Sequence, residues 1–233
     1  MLNSDNYFKA YATFSECYNI GNKINGLPQG IVIHSTAAKN EKLSRYVLDE
    51  VHCGVNPYQN YMGSENAAKG GNYTTPHAVA GLDINGNFAI ANILPYNIKC
   101  YGCGQGSRGS YNDTHIQIEI CEDTANDRKY CEGILDLVAQ WCGYICNEFL
   151  IDPDDIVSHS EAHKLGYASN HADPEHWISA HGYSLNWLRD MARRYMIKQD
   201  RIYTVQVGAF RLYDNALDMV QRLRAAGFEA FIK

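Results

Sequence analysis

Hydrophobic and polar positions recur along this chain with two different periods, and the changes between them mark out the elements. Residues 29–37, QGIVIHSTA, run apolar and then small and polar, which predicts a buried strand whose end presents His34. The segments HAVAGLD (77–83) and NFAIANILP (87–95) flank Asn85-Gly86, and Asn-Gly between two apolar runs predicts a hairpin. In THIQIEICED (114–123), Ile116, Ile118 and Ile120 alternate with polar residues. That is a period of two, and it puts Glu119 on the face opposite the isoleucines. A shorter run, DIVSHS (155–160), predicts a strand that delivers His159.

Elsewhere the period is helical. Across residues 126–149, Cys131, Leu135, Val138, Cys142, Ile145, Cys146 and Phe149 recur at steps of three and four, the strongest helix signal in the chain. Residues 40–50 predict a helix capped by Asn40, with Leu43, Val47 and Leu48 on one face, and residues 184–197 a closing helix. Two segments rich in Gly, Asn, Ser and Tyr, 54–75 and 100–113, predict long loops, which in compact domains are often functional. After a linker KQDR (198–201) come a strand IYTVQVGAF, a helix N-capped by Asp214 with Gly227 at its C′ position, and a strand FEAFI. This tail predicts a small β-α-β unit over 201–233.

Composition narrows the class. With 233 residues, 45% hydrophobic and 20% charged, the chain is globular and large enough for one to two domains at a prior of roughly 150 residues each. No apolar run approaches the ~20 residues that span a bilayer, so no membrane insertion is expected. The first residues lack the basic and apolar regions of a secretory signal, so synthesis in the cytoplasm is expected. A net charge of −6 argues against a nucleic-acid partner. The tail from 201 carries +2 and the rest −8, which suggests two units. Eight cysteines without a signal are expected to be mostly reduced thiols, and Cys131, Cys142 and Cys146 fall on the helix's apolar face. Cys100-x-x-Cys103 leaves a second zinc site or a redox pair open, the former needing Cys53 or Cys121. The 17 tyrosines include side chains suited to sugar and peptide grooves.

The candidate chemistry lies in the histidines. His34 and His159 end predicted strands, and His163, His171, Asp173 and His176 crowd the segment after the second. Imidazole nitrogen and carboxylate oxygen are good zinc ligands, and a catalytic zinc needs three of them with one position open. No HExxH motif is present, and a solvated histidine-rich loop would look the same. Glu119 is a candidate general base if its face lines a cleft, and a solvated strand carboxylate if it does not. A lysozyme-like pair of carboxylates would need a partner for Glu119 and would leave the histidines unexplained.

In combination and order, GIVIHSTA, TPHAVAG, THIQIEICED and VSHSEAHKLGYASNHADPEHW resemble the zinc-dependent N-acetylmuramoyl-L-alanine amidases of the type-2 amidase and peptidoglycan-recognition-protein superfamily. The likeness covers about residues 25–190 and is greatest to phage or prophage endolysins of a clostridia-like host. It implies an α/β fold, a central mixed β-sheet flanked by helices, with a zinc groove at one edge, in a catalytic domain over 1–197. It implies hydrolysis of the amide between N-acetylmuramic acid and the L-alanine of the stem peptide. Zinc-ligand roles carry to His34, His159 and Asp173, with His171 and His163 as alternatives for the third. The general base carries to Glu119. His171 stands where relatives often have an oxyanion-binding lysine. The same resemblance puts His77, Tyr101 and Asn170 against substrate, although Pro76 replaces a tyrosine of some relatives and Tyr101-Gly102 a Trp-His. Residues 54–75 and 100–111 would form the groove walls. A complete ligand set separates the chain from non-catalytic peptidoglycan-binding members, which typically lose one ligand.

The tail resembles the first half of a sporulation-related repeat domain, which implies binding to glycan strands stripped of stem peptides. Half a domain has too little core to stand alone. It is expected to dock, to continue in a longer protein, or to pair with a second copy as a homodimer. The implied partner throughout is bacterial peptidoglycan, reached from the cytoplasm after release.

Overall fold

The computed structural model describes residues 2–56, 61–64, 74–123, 126–196 and 206–232. They fall into two compact units, Met1–Lys198 and Gln199–Lys233.

Among the described residues, six strands build the first unit: β1 (Tyr7–Lys9), β2 (Gly30–Lys39), β3 (Ala78–Leu82), β4 (Phe88–Asn92), β5 (His115–Glu122) and β6 (Ile156–Ser158). Their order is β1-β4-β3-β5-β2-β6, and every neighbouring pair is parallel except the β3–β4 hairpin. The Asn-Gly signal is borne out there. Gly86 takes a φ of 81°, and the Asp83 carboxylate accepts the amides of Asn85 and Asn87, both at 2.8 Å.

The long helix forms as α2 (Arg128–Phe149) on one face of the sheet. Ile31 and Ile33 of β2 and Ile116, Ile118 and Ile120 of β5 pack in one core with Ile134, Val138, Trp141, Cys142 and Ile145 of α2. The closing helix, α5 (Leu185–Met196), packs on α2 and adds Leu185, Leu188 and Ala192 to that core. The alternate residues of β2 and β5 face the other side and carry His34, Gln117 and Glu119. That side is covered too, since all eight residues of β5 are buried. Glu119 is therefore not a solvated strand carboxylate.

Two local expectations change, and three short elements appear that the pattern does not signal. Residues 40–50 make a single 3-10 turn, Leu43–Arg45, in place of a helix. The Asn40 carboxamide accepts from the Lys42 amide at 3.0 Å, and Leu43, Tyr46 and Val47 drop into a cluster with Val79, Met62 and Cys121. Tertiary burial overrides a weak local preference. Two short N-terminal elements carry no periodic signal: β1, and α1 (Glu16–Ile20), which is capped by Ser15 and stopped by left-handed Gly21. His159 is not the end of a strand but the first residue of α3 (His159–Lys164), where Ser158 and Glu161 form a capping box. A further short helix, α4 (Glu175–Ile178), follows Pro174.

In the second unit only α6 (Tyr213–Ala225) is regular among the described residues. Gly227 sits just past its end at φ 90°, as expected, but the N-cap is Leu212, and Asp214 falls in the first turn. Residues 206–210 and 228–232 are not strands, and the start of the expected first strand, 202–205, lies outside the described residues. A strand needs a ladder partner, and no described residue of this unit supplies one. Among the described residues, no helix is long and apolar enough to cross a membrane.

Candidate metal centre

His34 and Glu119 are register partners on β2 and β5, so both side chains leave the sheet side by side on the face opposite the isoleucines. β6 pairs with β2 through Ile33 and Ser158, which places His159, the next residue, beside His34. Asp173 comes from the segment after α3, where its carbonyl accepts the Ser160 amide at 3.3 Å.

The donor atoms converge. His34 Nδ1 lies 3.0 Å from His159 Nδ1 and 3.2 Å from Asp173 Oδ2, and His159 Nδ1 lies 3.6 Å from Asp173 Oδ1. All three residues are buried, and among the described residues they are the one such group of metal-binding type. The His159 Nε2–H donates to the Ser169 carbonyl at 3.1 Å, and His34 Nε2 lies 3.0 Å from Gln117 Oε1. Each ring therefore spends Nε2 on the protein and turns Nδ1 inward.

Two imidazole lone pairs and a carboxylate so close repel one another unless a cation or proton lies between them. A tetrahedron around zinc with bonds of about 2.0–2.1 Å has edges of about 3.3 Å. The three measured separations straddle that value, so the donor set fits zinc in size and chemistry. Without metal, a proton takes the cation's place. Burial disfavours charge on His34, yet Asp173, Cys103 and Glu119 together hold its pKa well above 6.5. Burial and the neighbouring His34 push His159 down to about 4. Burial would raise Asp173, but its bond to His34 and the charges of His34 and His159 keep it below the ordinary range.

Glu119 is 8% exposed, and its Oε2 has no hydrogen-bond partner among the described residues. Burial lifts its pKa to about 7, against the pull of His34 and with help from Asp173 and Glu122. A carboxyl poised near neutrality can both take up and release a proton.

The other predicted residues divide. His171 is exposed, stacks flat on His159 at 4.6 Å, and holds Nδ1 3.8 Å from Asp173 Oδ1, beside the donor group but outside it. His163 donates its Nδ1–H to the Ala168 carbonyl at 3.1 Å and lies outside the donor group. His176 pairs with Glu122 at 2.9 Å. Tyr101 and Asn170 are exposed. His77, expected against substrate, is fully buried: its Nδ1 accepts the Gln117 amide at 3.0 Å and its Nε2–H donates to the Ile98 carbonyl at 2.9 Å. With both ring nitrogens used inside the sheet, it braces β5 and is not presented to a ligand. Cys100 and Cys103 are free thiols outside the metal group, so the second-metal and redox readings gain nothing among the described residues. Of the expected groove wall 54–75, residues 57–60 and 65–73 lie outside the described residues. Sequence reasoning missed Gln117, although its place two residues before Glu119 puts it on the same face of β5.

The model of the N-acetylmuramoyl-L-alanine amidase family matches residues 24–176. The chain belongs to this family. A SPOR domain model matches residues 199–233, and the two matches together point to peptidoglycan as the polymer this amidase engages. Its fold is that of solved relatives. The Staphylococcus aureus hydrolase AmiA, solved in complex with its ligand, is 22% identical with a TM-score of 0.58, over 84% of this chain and 86% of that one. The PlyG catalytic domain is 16% identical with a TM-score of 0.53, over 84% and 99%. AmpD is 14% identical with a TM-score of 0.52, over 82% and 96%. No curated protein matches the sequence.

Proposed function

We propose that this amidase is zinc-dependent and cleaves the bond between N-acetylmuramic acid and L-alanine, as a cell-wall-lysing endolysin of a phage or prophage. The observation that carries the reading is the convergence of His34 Nδ1, His159 Nδ1 and the Asp173 carboxylate beside a buried Glu119. Those three residues would hold the metal. Zinc supplies Lewis acidity, lowering the pKa of a water and polarising a carbonyl.

The protein's own groups do the rest. Glu119 takes a proton from the attacking water and returns it to the leaving amine, a task suited to a carboxyl lifted to about 7. His171, outside the donor group and open to solvent, would donate a hydrogen bond to the developing oxyanion. Tyr101 and Asn170, both exposed, would contact the substrate, and the SPOR-like tail would hold glycan.

The deciding experiment measures free amino groups and reducing ends released from Gram-positive walls, with and without a chelator. Amines that vanish with chelator, and no reducing ends, support the proposal. Reducing ends that survive chelation would replace it with glycan hydrolysis. Wall binding without release of either would make the chain a binding module.

A further inference from the structure

The hydrogen bonds behind His34 form a chain whose direction can be read from the backbone outward. The Gly102 and Cys103 amides point at one side-chain atom of Asn112, at 3.0 and 2.9 Å. Backbone amides only donate, so that atom is the oxygen, Oδ1. The third group on the same oxygen, a Gln117 side-chain atom at 3.0 Å, must then be the amide nitrogen. This turns the Gln117 carbonyl oxygen toward His34 Nε2, 3.0 Å away. A carbonyl oxygen only accepts, so Nε2 keeps a hydrogen, and the proton that the ring shares with Asp173 on Nδ1, 3.2 Å away, is the one a metal would displace; the neutral ring then offers Nδ1. Reversing the Gln117 amide would set two oxygens against each other at Asn112.

We propose that Gln117, aligned by Asn112, is a positioning residue that fixes His34 in the tautomer offering Nδ1 to a metal. Gln117 is completely buried, and its backbone is clamped by His77 from both sides, the His77 amide donating to its carbonyl at 2.9 Å. Gly102 leaves room for the arrangement. A Cβ there would stand 2.3 Å from Gln117 Oε1 and 3.5 Å from His34 Nε2. The loop 100–113 thus does more than border a groove: its amides start a relay that ends at a ligand. Partners behind metal-bound histidines set ring orientation and tautomer, and losing one typically weakens metal binding about 10- to 100-fold.

The inference rests on the zinc reading above, and its test separates the two. The tautomer of neutral His34 is read by nitrogen-15 NMR in the metal-free whole chain, and zinc affinity by competition with a chromogenic chelator. Wild type is expected to carry the hydrogen on Nε2. Gln117→Leu should lose that preference and bind zinc about 10- to 100-fold more weakly with its fold intact. Asn112→Asp keeps the accepting oxygen and should stay within a few-fold of wild type. A wild-type His34 that, once titrated to the neutral ring, carries its one hydrogen on Nδ1 with Nε2 bare overturns the proposal without any variant, which covers the case of a Gln117→Leu chain that fails to fold. Unchanged zinc affinity in Gln117→Leu overturns it too. If His34→Ala binds zinc as wild type does, the zinc reading falls, while the tautomer measurement still reports on the relay.

Discussion

Glu119 is costly to the fold, and the size of that cost follows from its surroundings. An ordinary glutamate titrates near 4.5, and burial lifts this one to about 7. The native state therefore holds the proton more tightly than the unfolded chain does. Below 4.5 both states are protonated and the group is neutral in its effect. Between 4.5 and 7 the unfolded chain ionises first, and stability falls. Above 7 the penalty is complete, and a shift of that size corresponds to about 3 kcal/mol. Glu119→Gln keeps the shape and removes the charge. In metal-free protein at pH 8 the variant should be more stable than wild type by up to about 3 kcal/mol, and near pH 4 the gain should vanish. Urea unfolding at the two pH values measures this, and wall-digestion assays should show the same variant inactive. A Glu119→Gln protein no more stable than wild type at pH 8, or equally stabilised at both pH values, would refute the claim that a buried carboxylate is being held there for chemistry.

Three more outcomes are expected. His171→Ala should lower kcat by about 10²-fold with KM nearly unchanged, whereas His171→Lys, which restores a donor, should recover most of it; steady-state amine release measures both. Gly102→Ala should displace the Gln117 amide and weaken zinc binding in the chelator competition as Gln117→Leu does, because the added carbon has no room at 2.3 Å. Trp177→Phe should destabilise by at least about 1.5–3 kcal/mol in thermal or urea unfolding, because it removes an N–H that donates to the buried Asp123 carboxylate at 2.8 Å and puts a smaller ring in the indole's place.

What the sequence disclosed follows from how far each signal reaches. β2, β5 and α2 were legible because their periods are set by one face meeting one core, and Ile116, Ile118 and Ile120 do face α2. The hairpin was legible because Asn85-Gly86 acts locally. β1 was not, since three residues gain their identity only by pairing with β4 far along the chain. Residues 40–50 misled because helix and turn differ little locally, and the burial of Leu43 and Val47 decided between them. In the site, the donor set His34, His159 and Asp173 could be named only through family likeness, since no spacing between them is diagnostic. The order of the strands explains why: β6 lies beside β2, so residues 125 apart become neighbours. His77 was misplaced because a histidine at a strand's start reads the same whether it faces a groove or braces the next strand. Gln117 was overlooked because a single polar residue in an apolar strand shows its purpose only with Asn112 and Gly102 around it.

These threads meet in the metal-free state, which the geometry leaves frustrated. Three donors crowd within 3.0–3.6 Å, and Glu119 Oε2 has no hydrogen-bond partner among the described residues. A cation at their centre relieves the first problem and, by its charge, draws Glu119 back toward ionisation. Zinc should therefore stabilise the fold itself, by about 4 kcal/mol when free zinc stands a thousand-fold above its dissociation constant. The effect should fade as pH falls, because a proton on His34, favoured by Asp173, competes for the same Nδ1. Unfolding curves with and without zinc at pH 8 and pH 5 test this. The advantage of Glu119→Gln over wild type should also shrink once zinc is bound, since the two effects act on the same charge. Equal zinc stabilisation in wild type and His34→Ala would show that the metal binds elsewhere, and the link from strand register to donor set would then fail.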